Sequence, residues 1–260
     1  KTAVASLTWR AAPIVTQTVR QFSGGRTIRV VWALSLLPCV FAAIYLLRPG
    51  DDTPASFLAG MYRDLIVPTL LPIAVLLLAT AAFGNELDDR TLLYLTLKPV
   101  SRLRIVLGKL IGTLLVGLPA VLVGLAATAL VASVGSALTG AGGNWGEMQP
   151  VLLAMLGSAA AGTALIASIF LAVSLIVPRA LLAGIVYIFI WESLLGRFLP
   201  GIQNISIRHY TLSVFAGLTD SPLATFNGAT PLRDALITIA AICVVAIAVA
   251  TLRLRSMQLS

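Results

Sequence analysis

Charged residues are scarce in this chain of 260 residues. Asp, Glu, Lys and Arg together make up 11% of the sequence, against 58% for hydrophobic residues. Soluble globular domains carry about 25% charged residues. So little charge cannot cover a water-facing surface, and the composition therefore excludes an ordinary soluble domain. Lipid is the expected solvent for most of the chain.

Cysteine and histidine are almost absent as well. Two Cys and one His exclude a disulfide framework, and they are too few for the clustered ligands of a zinc or haem site. The chain also lacks a GxxxxGK[ST] phosphate loop, because its sole Gly-Lys pair, Gly108 and Lys109, is followed by Leu110 and has no upstream Gly at the required spacing. We therefore expect no ATP hydrolysis, no catalytic residue, no metal and no cofactor in this chain.

Long apolar runs are abundant, and short polar segments separate them. The runs approach or exceed the ~20 residues with which an α-helix crosses a bilayer, and no period-two alternation points to strands. They predict an all-α integral membrane protein whose transmembrane domain occupies residues 30–252. The six predicted spans are 30–47, 65–83, 105–134, 151–177, 180–195 and 235–252.

The distribution of Lys and Arg predicts the orientation, because cytoplasmic loops carry the excess of basic residues. With the N-terminus inside, the inner side receives 13 basic residues and the outer side 5, which together are the 18 of the chain. Both termini are therefore expected in the cytoplasm, and the protein in the plasma or inner membrane. Topology and contact with anionic membrane lipids explain the net charge of +8 without any nucleic acid.

Two segments outside the spans are also predicted to lie at the membrane. Residues 1–29 carry apolar side chains at helical spacing, with Arg20 and Gln21 among the polar residues on the other side, which predicts an amphipathic helix in the inner interface. Residues 196–234 hold too many apolar side chains for free solvent and are expected to dip into the outer leaflet as short helices. Residues 253–260 form a short cytoplasmic tail.

The longest polar segment on the inner side is the loop of residues 84–104, which reads GNELDDRTLLYLTLKPVSRLR. Acidic residues near its start suit the exposed N–H groups of a short helix that begins at Glu86, and Lys98 followed by Pro99 suits the end of that helix. The Leu residues around Tyr94 give it more apolar surface than a loop in water needs. This surface is expected to dock on a partner or on the inner leaflet; the alternative is a solvated linker.

A set of residues in and after this loop forms a recognisable pattern: Glu86, Thr91, Leu92, Pro99, Val100, Ser101, Arg102, Gly108 and Lys109. The pattern resembles the ABC-2 type permeases, which are the membrane subunits of type-2 ABC transporters. The family usually has Gly before the Thr-Leu pair, where this chain has Arg90. The resemblance covers roughly 25 residues, and the six-span topology agrees with it over the whole length.

The resemblance implies the permease subunit of an ATP-driven ABC exporter, largely a prokaryotic family. It implies a homodimer or heterodimer of permeases that forms the translocation path, with one separate ABC ATPase under each copy. That partner would bind ATP and Mg²⁺, and the loop would act as a coupling helix between spans two and three. The residues implied for coupling are Glu86, Asp89, Arg90, Thr91, Leu92, Leu93, Tyr94, Pro99, Ser101 and Arg102.

Glu192 is the only ionisable residue well inside a predicted span and away from its inner end. A carboxylate there is a candidate intramembrane polar site, although its position near Gly196 also fits the outer rim. It leaves open two alternatives, a proton-coupled secondary transporter that uses Glu192 and an intramembrane enzyme. The spans offer few polar side chains, which favours a lipid-like or amphipathic cargo.

Small residues recur four apart in two of the spans. Gly108 and Gly112 form one such pair, and Gly157 and Ala161 form another. Such stripes allow two helices to approach closely. We expect them to serve packing within the chain, with a dimer interface as the alternative.

The predicted topology can be tested by labelling single cysteines in a background without Cys39 and Cys243. A maleimide that cannot cross the membrane should label Ser101→Cys only from the inside and Asn144→Cys only from the outside, because the basic residues place these loops on opposite sides. Labelling of Ser101→Cys in sealed cells would contradict the orientation.

Overall fold

A computed structural model describes residues 14–22, 24–47, 53–88, 101–139, 145–190, 206–219 and 221–256. Every regular element within these ranges is a helix. In chain order these are α1 (14–22), α2 (Arg26–Leu47), α3 (Pro54–Met61), the π-helix π1 (Tyr62–Leu70), α4 (Leu71–Asp88), α5 (Arg102–Thr139), α6 (Trp145–Ile176), α7 (Ala180–Val186), α8 (Ile207–Gly217) and α9 (Leu232–Ser256).

Five helical stretches of the described chain are long and apolar enough to cross a membrane. They are Arg26–Tyr45, Pro54–Gly84, Arg102–Val134, Trp145–Ile176 and Leu232–Ser256. The all-α membrane architecture predicted from the composition is thereby confirmed. A shorter apolar helix follows at Ala180–Ile190, where the sequence predicts a span over 180–195. Its further course lies outside the described residues, so the sixth span stays a prediction.

Helices in the structure extend beyond the apolar runs that predict them. The second spanning stretch begins at Pro54, well before the predicted start at residue 65, because Thr53 caps it: the Ser56 N–H donates to Thr53 Oγ1 at 3.3 Å. Pro54 occupies the first helical turn, where its missing N–H is not needed. Helix ends are thus set by capping chemistry, whereas the sequence prediction follows hydropathy alone.

Helix α6 is the central helix of the bundle and packs against α4, α5, α8 and α9. Its small residues allow this close approach, since Ser158 and Ala159 are fully buried. The Ser158 hydroxyl forms a hydrogen bond of 2.6 Å with the hydroxyl of the fully buried Tyr62. The Tyr62 ring also packs against Phe215 of α8, with ring centroids 4.9 Å apart. One aromatic side chain therefore joins the second span to the central helix and to α8.

The second span contains a wide helical turn around a proline. Residues Tyr62–Leu70 form π1, and Pro68 lies within it. Proline cannot donate to the carbonyl four residues back and would clash with that carbonyl in a regular α-helix. A π-helix pairs residues five apart and relieves this conflict locally. The span therefore continues into α4 without a break.

The outer segment contains α8, whose apolar side chains face the protein. Ile207, Leu212, Val214 and Phe215 are buried, and the helix packs against α6 and α9. Ser206 caps its start, because its Oγ accepts from the His209 N–H at 3.3 Å. These contacts explain why the segment before α9 is rich in apolar residues.

Glycines mark the closest helix crossings, and the stripes seen in the sequence serve packing within the chain. A Cβ at Gly157 would come within 2.8 Å of Leu218, and one at Gly112 within 2.6 Å of Thr18. The tightest crossing joins α2 and α5, where a Cβ on Gly124 would overlap the backbone carbonyl of Ser35. Backbone atoms cannot rotate away, so this crossing requires glycine.

The substitution Gly124→Ala is therefore expected to lower the free energy of unfolding by about 1–3 kcal/mol through overpacking. The matched control is Gly60→Ala, also within a helix, where an added Cβ meets nothing within 4 Å. This control should be neutral or stabilising by up to about 1 kcal/mol, the gain of Ala over Gly in a helix. Unfolding by SDS in mixed micelles measures both. Equal stability of the two variants would contradict the α2–α5 crossing.

Candidate functional site

The predicted coupling loop leaves the bundle from α4 and returns to it at α5. Helix α4 continues through Glu86 and ends at Asp88. Glu86, expected at the start of a separate short helix, therefore belongs to the end of α4. The rest of the predicted short helix lies outside the described residues and stays a prediction. Gly84, in the middle of this stretch, is tolerated within a helix at a cost of about 1 kcal/mol, and no proline interrupts the chain between Phe83 and Asp88. Glu86 thus lies in the last turn of α4.

The return of the loop is fixed by Ser101, which starts α5. Its carbonyl oxygen accepts from the N–H of Arg104 at 2.9 Å and from the N–H of Ile105 at 3.3 Å. Arg102, the first residue of α5, is half-buried. The other predicted coupling residues lie outside the described residues, as does Glu192, and their roles stay predictions: Asp89, Arg90, Thr91, Leu92, Leu93, Tyr94 and Pro99.

A buried lysine lies where the two ends of this loop enter the bundle. Lys109 of α5 is only 1% exposed. Its Nζ donates to the Ala82 carbonyl of α4 at 2.7 Å and to Oε1 of Gln21 on α1 at 3.5 Å. The Phe83 ring adds a cation–π contact, with Nζ 5.7 Å from its centroid. We call Gln21, Ala82, Phe83 and Lys109 the lysine cluster; it joins three helices.

Electrostatics explains why an ammonium group can be buried here. Removing a charge from water costs several kcal/mol unless hydrogen bonds replace the solvent. The Ala82 carbonyl lies within α4, and a backbone carbonyl has two lone pairs, so it can accept from Lys109 as well as within its own helix. The oxygen of Gln21 and the face of Phe83 contribute further attraction to the ammonium of Lys109.

Gln21 is half-buried at the edge of the polar side of α1, where it shares a surface with Gln17 and Arg20. Besides accepting from Lys109, its Nε2 donates to the Ala81 carbonyl at 3.5 Å. The sequence predicts its place among the polar residues but not these contacts with α4 and α5, which give the buried cation a polar partner. Arg20, its neighbour, is exposed as predicted.

Helix α1 is held against α5 by the glycine stripe of α5. A Cβ at Gly108 would come within 2.8 Å of Ile14, and Gly112 lies under Thr18. Thr18 is fully buried, and its hydroxyl donates to the Ile14 carbonyl at 2.9 Å within its own helix. Phe22, at the end of α1, is 2% exposed. The two glycines and Lys109 thus form the surface of α5 on which α1 packs.

Sequence reasoning named Lys109 only as part of a Gly-Lys pair, in the search for a phosphate loop and in the family pattern. The available signal was a lysine inside an apolar run with glycines one position before and three positions after it, because such a lysine needs a polar partner from another helix. In the part of the chain that the structure describes, no three His, Cys, Asp or Glu side chains lie close enough to hold a metal ion. The contacts of Lys109 with α1 and α4 support a role for the cluster in positioning these helices.

On the other side of the bundle, His209 joins α8 to the segment before α9. It is 6% exposed, and its Nε2 lies 2.9 Å from Thr230 Oγ1. The rings of Tyr210 and Phe226 pack edge-on against it. Burial lowers the pKa of His209 below its ordinary value of 6.5, so the imidazole is neutral at neutral pH and acts as a hydrogen-bonding partner of Thr230.

Removing the ammonium should destabilise the end of the bundle at which the loop of residues 84–104 leaves it. Lys109→Met loses charge-assisted hydrogen bonds, and we expect the free energy of unfolding to fall by about 1.5–3 kcal/mol. The control Arg104→Met removes a half-exposed charge from the same helix and should change it by less than about 0.5 kcal/mol. Unfolding curves in lipid bicelles measure both. Two indistinguishable variants would refute a stabilising role for the cluster.

Comparison with known proteins identifies the family. A family model described as "ABC-2 family transporter protein" matches residues 26–191, while a comparison with curated proteins found no match. The matched region begins at the first residue of α2 and includes the loop of residues 84–104 and Lys109. It covers more than half of the chain and confirms the resemblance seen in the sequence. The chain belongs to the ABC-2 family of transporter proteins and is a multi-pass permease component of an ABC transporter.

Proposed function

We propose that this chain is the permease subunit of an ATP-driven exporter and that its loop of residues 84–104 couples it to a separate ABC ATPase. Two permease copies would form the translocation path, with six spans each and both termini in the cytoplasm of a prokaryotic cell. ATP and Mg²⁺ would be bound by the partner, since this sequence has no phosphate loop.

The observation that carries the proposal is the family match, which includes both helices that flank the loop. The geometry of these helices supports a coupling role. Lys109 of α5 donates to the Ala82 carbonyl of α4, so the outgoing and the returning helix are tied together close to the loop. A force applied to the loop would therefore reach two spans at once.

Helix α1 would move with this unit. Gln21 accepts from Lys109, and Thr18 lies against Gly112. If α1 lies in the inner interface, as its exposed polar side predicts, an ATPase that displaces the loop also displaces an element at the membrane surface. The proposed mechanism is a rigid inner unit of α1 and the ends of α4 and α5, which transmits motion to the spans.

Exposed apolar surface supports the dimer. Helix α2 exposes Val40, Phe41, Ile44 and Leu47, and α9 exposes Val244, Val245 and Leu252. In a bilayer, such side chains are covered by lipid or by another membrane helix. The second permease copy implied by the family resemblance would cover part of this surface.

The test measures the affinity between the chain and an ABC ATPase that is co-expressed with it. The apolar side chains of the loop should supply the anchor, so Leu92→Ala, Leu93→Ala and Tyr94→Ala should each weaken association by about 1–3 kcal/mol. Glu86→Lys should leave association intact but abolish the change in ATPase rate that the permease causes. A charged residue at the edge of an interface affects the alignment of the two partners more than their affinity. Affinity and ATPase rate are measured in nanodiscs.

A matched control is Leu153→Ala, which truncates a leucine that is 60% exposed on the membrane-spanning helix α6. It should bind the ATPase like the parent. The permease purified alone should hydrolyse no ATP, and its rate serves as the background of the ATPase assay. If all four loop variants bind and couple like the parent, the loop is only a linker and the proposal fails.

A further inference from the structure

A groove of about 710 Å³ opens among the helix ends on the side of the bundle where the loop of residues 84–104 leaves it. Five helices contribute to it: the start of α2 at Thr27, the second half of α4, the end of α6, the start of α7 and Arg253 of α9. The turn between α6 and α7 closes the remaining side. The groove lies apart from the side chains of Gln21 and Lys109, which do not line it.

The rim of the groove is basic. Arg179 and Arg253 both line it, and among the described lining residues there is no Asp or Glu. The Nε of Arg253 donates to the Leu175 carbonyl at 3.4 Å, which draws this side chain from α9 towards the end of α6 and leaves its terminal nitrogens as further donors. The rim therefore attracts an anion.

Arg179 is held at the rim by an unusual backbone conformation. Its φ of 59° and ψ of 44° are left-handed, and no other non-glycine residue in the described chain has a positive φ. Such a conformation is strained for a residue with a side chain and persists only where the surroundings impose it. Here the Arg179 carbonyl starts α7 by accepting from the N–H of Leu182 at 2.9 Å.

The rest of the lining is mostly apolar, because the hydroxyls of Thr80 and Ser174 donate to carbonyls of their own helices, those of Leu76 and Leu171. On α4 the lining runs from Gly84 to Leu77, a rise of about 10 Å along the helix axis. Val177 and Leu181 add apolar surface from the turn and from α7. A basic rim above an apolar wall matches a molecule that has an anionic head and a hydrocarbon tail.

We infer that this groove binds an amphiphile with an anionic headgroup, its head at Arg179 and Arg253 and its acyl chain along α4. The volume is within the range of about 300–1,000 Å³ typical of small-molecule sites and far exceeds that of a metal ion or a phosphate. The mostly apolar wall suits an acyl chain better than the many hydroxyl groups of a sugar. The inference rests on the proposed function for its orientation, which places the rim at the headgroups of the inner leaflet.

The ligand has two possible sources with the same chemistry, a resident phospholipid of the inner leaflet and a transported lipid. Binding is tested first, on the full chain without an ATPase, in nanodiscs of phosphatidylcholine. The probe is phosphatidylglycerol, and native mass spectrometry counts the lipids that stay bound. The parent should retain phosphatidylglycerol in preference to phosphatidylcholine. Soluble glycerol phosphate, added as a second probe, should not compete.

Three variants locate the site. Arg179→Asn and Arg253→Gln should each weaken retention about fivefold, the effect of one basic residue at a membrane surface; Asn also tolerates the left-handed backbone. Gly84→Trp should fill the groove, because a Cβ at Gly84 meets nothing within 4 Å, and retention should be lost. The control Gly60→Trp adds the same side chain at another open glycine of the second span and should bind like the parent.

Retention of phosphatidylglycerol that is unchanged in Gly84→Trp and in the double arginine variant overturns the inference, as does equal retention of phosphatidylcholine by the parent or competition by glycerol phosphate. A complex reconstituted with the ATPase then separates the two sources. Nucleotide-dependent transfer of labelled phosphatidylglycerol across the membrane supports a cargo site, and retention without transfer supports a resident lipid. If the parent retains phosphatidylglycerol but does not bind the ATPase, the proposed coupling fails while the inferred lipid site stands.

Discussion

The ammonium group of Lys109 is the constraint on which the packing of α1, α4 and α5 depends. A charge that is 1% exposed must be matched by fixed acceptors, because water is not there to solvate it. The acceptors come from two other helices, the Ala82 carbonyl of α4 and the side chain of Gln21 on α1. Satisfying one cation therefore fixes the relative positions of three segments, and the glycines of α5 supply the close approach that makes the contacts possible.

Helix α4 relates the two candidate sites to each other. Ala82 accepts from Lys109, and Gly84, half a turn further on, lines the basic groove. The same helix then leads through Glu86 into the loop proposed to contact the ATPase. Motion of the end of α4 would therefore change the width of the groove, which is the property that an exporter needs in order to link nucleotide binding to the release of an amphiphile.

Hydropathy and motif together predicted the all-α membrane fold and the family, because spans and loop motifs are local properties of the sequence. The extension of α4 through Glu86 was not predicted, since hydropathy marks where apolar residues end and not where hydrogen bonding ends. The contacts of Gln21 were missed for another reason, because they join residues distant in sequence, Ala81 and Lys109. The left-handed Arg179 lies in a short turn whose backbone conformation hydropathy does not mark. The lysine in the third span was visible from the start, but its partners were not.

Amide hydrogen exchange measures most directly whether Lys109 holds these segments together. It is recorded by mass spectrometry on the full chain in nanodiscs, for the parent, for Lys109→Met and for the control Arg104→Met. We predict that residues 14–22 and the last turns of α4 exchange faster in Lys109→Met, while the centre of α6 stays protected and Arg104→Met matches the parent. Unchanged protection of residues 14–22 in Lys109→Met would contradict the account.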